Sequence, residues 1–279
     1  MFTTTLMLIA IACGAFVLLC GYLYLRQDRM LFYPRPNDAA LREHWKTKRV
    51  QITSGTHVLE GWWADGGSPQ SDTVVLYFGG NAEDVLGTAR IAGRLACKRL
   101  LVVNYRGYGG TKGRPGQAAL YEDALAIHAY AIDAGQTTPQ NLVVMGRSLG
   151  SGVATMLAAR RAVAGAILIT PYDSMVAVAS HHYSWFPVAR LLRHPFPSTQ
   201  YAQQARIPAL FLIAQNDFVI PASHGQALAA AWAGAKTVRV LDDVGHNDIE
   251  VHPSYFEEIN GFLRTVSVAA SPDLQHAPL

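Results

Sequence analysis

Leu142-Val143-Val144-Met145-Gly146-Arg147-Ser148-Leu149-Gly150-Ser151-Gly152 joins an apolar, β-branched run to a Gly-x-Ser-x-Gly pattern. The small-residue stretch Val153-Ala154-Thr155-Met156-Leu157-Ala158-Ala159 then continues it with helical character. This context predicts a buried strand, a sharp turn carrying a serine, and a helix. Such a turn holds Ser148 in a strained backbone conformation, and glycine at 146 and 150 leaves room around it. The hydroxyl then stands clear of the sheet, with the free amides of the helix start aimed at its surroundings.

Outward from this stretch, apolar strands alternate with helical segments. Strands are expected at 73–78, 99–104, 166–170, 209–214 and 238–241, after two antiparallel strands at 50–53 and 58–64. Helices are expected at 83–97, 117–134, 222–232 and 254–266. Continuous apolar strands between helices imply a mostly parallel sheet covered on both faces, an α/β architecture. Ligands of such sheets bind beyond the carboxyl ends of the strands. Half of the 279 residues are hydrophobic and 15% are charged, which supplies a sizeable core and excludes global disorder. The net charge of +3 comes without a basic stripe interleaved with aromatics, so nucleic-acid binding has no support. Three cysteines, two of them in the apolar N-terminal segment, make neither a disulfide framework nor a metal-ligand spacing.

Residues 6–25 form an uncharged run of bilayer-spanning length, with Tyr22 and Tyr24 at its C-terminal end and Arg26 and Arg29 following it. The first five residues contain no Lys or Arg, and the run exceeds a usual signal-peptide core, which favours an uncleaved anchor over a cleaved leader. The expected organisation is a single-pass anchor at 1–25, a juxtamembrane linker at 26–48, a catalytic domain at 49–266 and a flexible tail at 267–279. Arginines follow the span and none precedes it, which places the catalytic domain on the cytoplasmic side by the positive-inside rule.

Serine needs a base within hydrogen-bond reach, and that base needs an acid to orient it. After Ser148 the chain supplies Asp217 in a loop following an apolar strand, then His246 in Val244-Gly245-His246-Asn247-Asp248 after the last strand. The order Ser, Asp, His is the one a serine turn on a doubly wound sheet requires. Asp173, also beyond a strand, is the fallback acid. His181, His182, His194, His224 and His252 have no comparable position. The backbone amides of Leu149, and of Asn81 in the loop Gly79-Gly80-Asn81, are the expected donors to a developing oxyanion. No metal or cofactor is implied.

With Phe78-Gly79-Gly80-Asn81-Ala82, Asn104-Tyr105-Arg106-Gly107-Tyr108-Gly109-Gly110, Gly146-Arg147-Ser148-Leu149-Gly150, Asn216-Asp217 and Gly245-His246-Asn247, the chain resembles the α/β-hydrolase superfamily over about residues 50–264. It is similar in particular to the small membrane-anchored serine hydrolases, a branch that includes protein depalmitoylases. The resemblance implies Ser148 as nucleophile, Asp217 as acid, His246 as base, and Asn81 and Leu149 as oxyanion donors. It also implies Arg106 as a buried organiser of its loop. Gly79 replaces the His that usually opens the oxyanion motif, a change that a backbone donor tolerates. A cap is expected after Thr170, short and rich in aromatics (Tyr183, Trp185, Phe186, Phe196), either facing the bilayer or simply packing. The expected substrate is an acyl ester or thioester presented at the membrane: a lipid, a lysolipid or an S-acylated protein. The alternatives are a serine peptidase and a non-catalytic scaffold of the same fold. The first would want clustered carboxylates in 171–205, where only Asp173 occurs. The second commonly lacks a triad member, and all three are present.

Overall fold

The computed structural model describes residues 2–134 and 137–270. From Arg49 onward the chain builds one eight-stranded sheet in the order β1-β2-β4-β3-β5-β6-β7-β8. β1 (Arg49–Ser54) and β2 (His57–Asp65) form the expected antiparallel hairpin, turned at Gly55 with φ 55°. β2 also runs antiparallel to β4 (Arg99–Val103). The remaining neighbours are parallel: β3 (Val74–Phe78) between β4 and β5 (Leu142–Arg147), then β6 (Gly165–Ile169), β7 (Ala209–Ala214) and β8 (Lys236–Leu241).

Ten helices surround this sheet or precede it among the described residues. α1 (Phe2–Leu31) and α2 (Ala39–His44) come before it, and α3 (Val85–Ala89) follows β3. α4 (Gln117–Asp133) precedes β5, and α5 (Leu149–Arg160) leaves it. α6 (Met175–His182), α7 (Val188–Leu191) and α8 (Ser198–Ala202) lie between β6 and β7. α9 (Ala222–Ala231) joins β7 to β8, and α10 (Ser254–Ala270) ends the described chain.

Strand residues alternate between two cores, as a period of two demands. Val74, Leu76 and Phe78 of β3 point into the layer under α4, α5 and α9, where Leu120, Val153, Leu157 and Leu228 pack. Val75 and Tyr77 point the other way, toward Leu86 of α3 and Ile259 and Leu263 of α10. Both faces are covered, which is why β3, β5, β6 and β7 are almost wholly buried and read as unbroken apolar runs.

Three expectations about the elements are revised. The 83–97 segment forms only α3 and a 3₁₀ turn at Ala92–Arg94, because Gly87 and Gly93 weaken a continuous helix there. α10 continues past Ser267 to Ala270, and residues 271–279 of the expected tail lie outside the described residues. α1 does not stop at Leu25 but runs to Leu31, ending ahead of Pro34.

α1 is long and apolar enough to cross a membrane, judged by length and composition. At 30 residues and about 1.5 Å per residue it exceeds the ~30 Å hydrocarbon core, leaving about three turns to project. Those last turns dock on the globular domain. Gln27 is buried, donates to the Leu191 carbonyl at 3.0 Å and accepts from the Arg193 amide at 2.7 Å. Asp28 accepts from Arg193 at 2.7 Å. The following segment is also tied down: Asn37 donates to Asp84 at 2.6 Å, and Arg42 grips both oxygens of Glu60 at 2.7 and 2.9 Å.

Candidate active site

β5 ends in Arg147 and α5 begins at Leu149, so Ser148 occupies the whole of the turn between them. Its φ is 50° and its ψ −119°, a strained pair for a residue with a Cβ. The surroundings explain why the flanking positions are glycine. A Cβ on Gly146 would lie 2.3 Å from the Gly150 carbonyl oxygen, and one on Gly150 would lie 2.0 Å from that of Phe78.

The three residues separated in sequence meet beyond the strand ends. His246 Nε2 lies 2.9 Å from Ser148 Oγ, and His246 Nδ1 lies 2.7 Å from Asp217 Oδ2. Asp217 is buried, and its other oxygen accepts the amides of Val219 at 2.9 Å and Ile220 at 2.7 Å. An ionised carboxylate only accepts, so Nδ1 carries the imidazole proton and Nε2 is left to accept from the serine hydroxyl. The fallback acid goes elsewhere. Asp173 lies 2.9 Å from His224 Nδ1, a separate pair that engages both side chains.

The loop after β3 lies against the serine: a Cβ on Gly80 would sit 3.6 Å from that of Ser148. The Asn81 and Leu149 amides take no hydrogen bond among the described residues. Glu83, which sequence reasoning missed, braces this loop in place of a histidine at 79. It accepts from the Gly80 amide at 2.6 Å, the Tyr77 hydroxyl at 2.9 Å and the Thr88 hydroxyl at 2.5 Å. Burial first, and then the Glu83 charge, hold the Tyr77 phenol well above its ordinary range, so it remains a donor. Tyr105 donates to the Gly79 carbonyl at 2.9 Å and is likewise held protonated by burial.

The Asn81 side chain has its own task. Its oxygen accepts from the Tyr33 amide at 2.9 Å, the Tyr108 hydroxyl at 2.8 Å and the Ala82 amide at 3.1 Å. Its nitrogen donates to the Leu31 carbonyl at 2.8 Å. The end of α1 is thereby hydrogen-bonded to the loop beside Ser148. Arg147 is a second residue the sequence reading did not single out. It donates to the His246 carbonyl at 3.1 Å and pairs with Glu250 at 3.3 Å, tying the serine turn to the histidine loop. Its position inside Gly-x-Ser-x-Gly, with an acid four residues after His246, was the available signal. Arg106 lies where the resemblance implied, buried against Asp123 and bonded to Ser54 and Glu122.

The aromatics of the cap divide into two kinds. Phe196 is fully buried among Phe32, Tyr121 and Tyr172, whereas Trp185 is 88% exposed. Phe186 stacks on Phe16 of α1, ring centroids 5.7 Å apart. A cavity of about 740 Å³ is remote from all this, at the amino-terminal edge of β6, β7 and β8 beside Ala164, Pro208 and Lys236. In a parallel sheet that is the wrong end for chemistry. Among the described residues no three His, Cys, Asp or Glu side chains converge as a metal site would require.

Comparison with known proteins agrees with this architecture. A solved esterase of Pyrococcus furiosus superposes with a TM-score of 0.64 at 15% identity, covering 84% of this chain and 96% of that one. Est1E from Butyrivibrio proteoclasticus superposes with a TM-score of 0.63 at 14% identity, covering 80% and 99%. At such identities these likenesses establish the α/β-hydrolase fold. An uncharacterized protein of Mycobacterium tuberculosis is 32% identical over 236 residues, 82% of this chain and 84% of that protein. Alpha/beta hydrolase domain-containing protein 17C of Xenopus tropicalis is 33% identical over 208 residues, 70% of this chain and 63% of that protein. The serine hydrolase family profile matches residues 117–264, a span that includes Ser148, Asp217 and His246. By that match the chain belongs to the serine hydrolase family.

Proposed function

We propose that this protein is a membrane-anchored serine hydrolase that cleaves carboxylic esters or thioesters, of acyl lipids or S-acylated proteins, through an acyl-enzyme. The observation that carries the proposal is the unbroken relay from Ser148 Oγ to His246 to Asp217, at 2.9 and 2.7 Å. His246 Nε2 takes the hydroxyl proton as Ser148 attacks the acyl carbonyl, and Asp217 stabilises the imidazolium that forms. The Asn81 and Leu149 amides receive the developing oxyanion. Collapse expels the alcohol or thiol with the proton held on His246. Water, deprotonated by the same nitrogen, then releases the acid and restores the serine.

The anchor is α1, with residues 26–48 joining it to a catalytic domain at 49–266. The arginines after the span favour a cytoplasmic domain. The names of the solved neighbours include esterases, which supports an ester bond as the one cleaved. A peptidase reading would need a carboxylate free to receive a substrate amine near the cap, and Asp173 is engaged by His224.

The test is labelling by a fluorophosphonate probe in native membranes. Wild type should label, and Ser148→Ala and His246→Ala should not. Labelling that persists in Ser148→Ala would overturn the nucleophile, and a well-folded wild type that stays unlabelled would favour a scaffold.

A further inference from the structure

A second cavity, about 210 Å³, lies between the end of α1 and the cap. Leu23, Met30 and Leu31 form one side, and Val178, Ala179 and Leu191 the other. No charged side chain lines it. The one buried amide, Gln27, spends its donors on the Tyr24 and Leu191 carbonyls and its acceptor on the Arg193 amide. Apart from Gln27 the polar groups of the lining are the Tyr24 and Tyr183 hydroxyls, on two exposed side chains, and the other lining residues are aliphatic, Met or Phe, so the cavity suits a chain of methylenes.

Each side of the cavity is connected through the chain to a residue beside Ser148. Leu31 is hydrogen-bonded through its carbonyl to Asn81. On the cap side, α6 begins just after Tyr172, whose hydroxyl donates to the Leu149 carbonyl at 3.3 Å. The two residues whose amides flank Ser148 are therefore each attached to one wall. The other end points along α1 toward its apolar stretch, where Phe186 of the cap stacks on Phe16.

We propose that this cavity holds the acyl chain of the substrate, so that the membrane helix is itself one wall of the acyl-binding site. The proposal rests on the serine esterase reading above and adds its substrate class: long-chain acyl groups drawn from the leaflet along α1. A chain moving from lipid into an apolar cavity exchanges one apolar environment for another, so extraction costs little. Obstructing the cavity forces methylenes into water instead, at about fourfold in affinity for each.

The experiment uses the full chain in nanodiscs, with Ala179→Trp obstructing from the cap and Met30→Trp from α1. For each, the ratio of kcat/KM on p-nitrophenyl dodecanoate to that on p-nitrophenyl acetate is measured. That ratio should fall about tenfold or more in both variants, and an unchanged ratio in folded variants overturns the proposal. A second readout does not depend on turnover: diazirine-bearing palmitate in the Ser148→Ala protein should crosslink Met175 and Val178, and Ala179→Trp should suppress this. Crosslinks confined to the lipid-facing side of α1 count against the cavity. Crosslinks to Val178 together with a folded wild type that hydrolyses no ester uphold the cavity and sink the esterase reading.

Discussion

Replacing Asn81 by alanine separates the two tasks this residue holds, because the backbone amide stays while the side chain goes. Four hydrogen bonds are lost, to Tyr33, Tyr108, Ala82 and Leu31. At about 0.5–1.5 kcal/mol each, and with some partners regaining water at the partly open surface, the stability cost is about 2–4 kcal/mol. The effect on turnover is bounded differently. Deleting an oxyanion donor outright costs about 10²–10³ in kcat. Here the donor remains, with Glu83 still holding Gly80, but its loop is released from α1 and from Tyr108. We expect kcat on p-nitrophenyl acetate to fall about 10- to 100-fold with KM moving less, since an oxyanion contact strengthens in the transition state. Tyr108→Phe, which removes one of the four bonds, should have a smaller effect on both quantities. The assay is steady-state kinetics on the full chain in nanodiscs, paired with thermal unfolding. Should Asn81→Ala keep kcat within about twofold of wild type, the side chain would not position the loop, and the proposed link from α1 to the oxyanion site would be refuted.

Asp217→Asn leaves the geometry largely in place but removes the acceptor that fixes the imidazole tautomer, so kcat should drop by about 10⁴; a loss under tenfold would point to another acid. The hydrogen bond from Arg42, then the Arg42 and Arg49 charges against an opposing burial effect, hold the Glu60 carboxyl below its ordinary value of 4.5. Its folded pKa being depressed, its contribution is present above 4.5 and is lost as pH falls through the lower folded value. The difference in Tm between wild type and Glu60→Gln should therefore be constant at neutral pH and narrow in acid; a gap that widens below pH 4.5 would contradict this sign. Burial pushes the Cys97 thiol up to about 12, so iodoacetamide should not modify it in the native protein at neutral pH, as mass spectrometry of the alkylated chain would report.

The parallel core was legible because its strands are buried on both faces, and only such strands read as unbroken apolar runs. The Ser148 and Asp217 loops were legible for a related reason, since they follow the buried strands β5 and β7, while His246 follows the more exposed edge strand β8, and a parallel sheet gathers all three strand ends. What was not legible is the support around them. Glu83 carries no periodicity and no motif of its own, and Arg147 occupies a variable position of the serine motif. Their roles follow from the loop geometry that sets Glu83 under Gly80 and brings Arg147 within reach of the His246 carbonyl. Composition suggested an aromatic lid over 171–205, yet an exposed Trp185 and a buried Phe196 have the same apolar character in sequence. Only packing against Phe32 and Tyr121 distinguishes the second.

The extent of α1 was misjudged for a reason that bears on function. A run of apolar residues marks where a helix suits lipid, and charge ends that run at Arg26. Helical hydrogen bonding is indifferent to that change, and Gln27, Asp28, Arg29 and Met30 continue it to Leu31. The polar side chains of this extension are the ones that engage the cap, Gln27 at Leu191 and Arg193, Asp28 at Arg193 and His194. A helix serving only to tether the domain would gain nothing from burying an amide at its end. Burying Gln27 with both its donors and its acceptor satisfied fixes the helix in one register against the domain, because a shift of one residue would leave those groups unpaired at a cost of about 1–3 kcal/mol each. That register is what delivers the Leu31 carbonyl and the Tyr33 amide to Asn81. α1 and the loop at Asn81 beside Ser148 thus belong to one hydrogen-bonded unit.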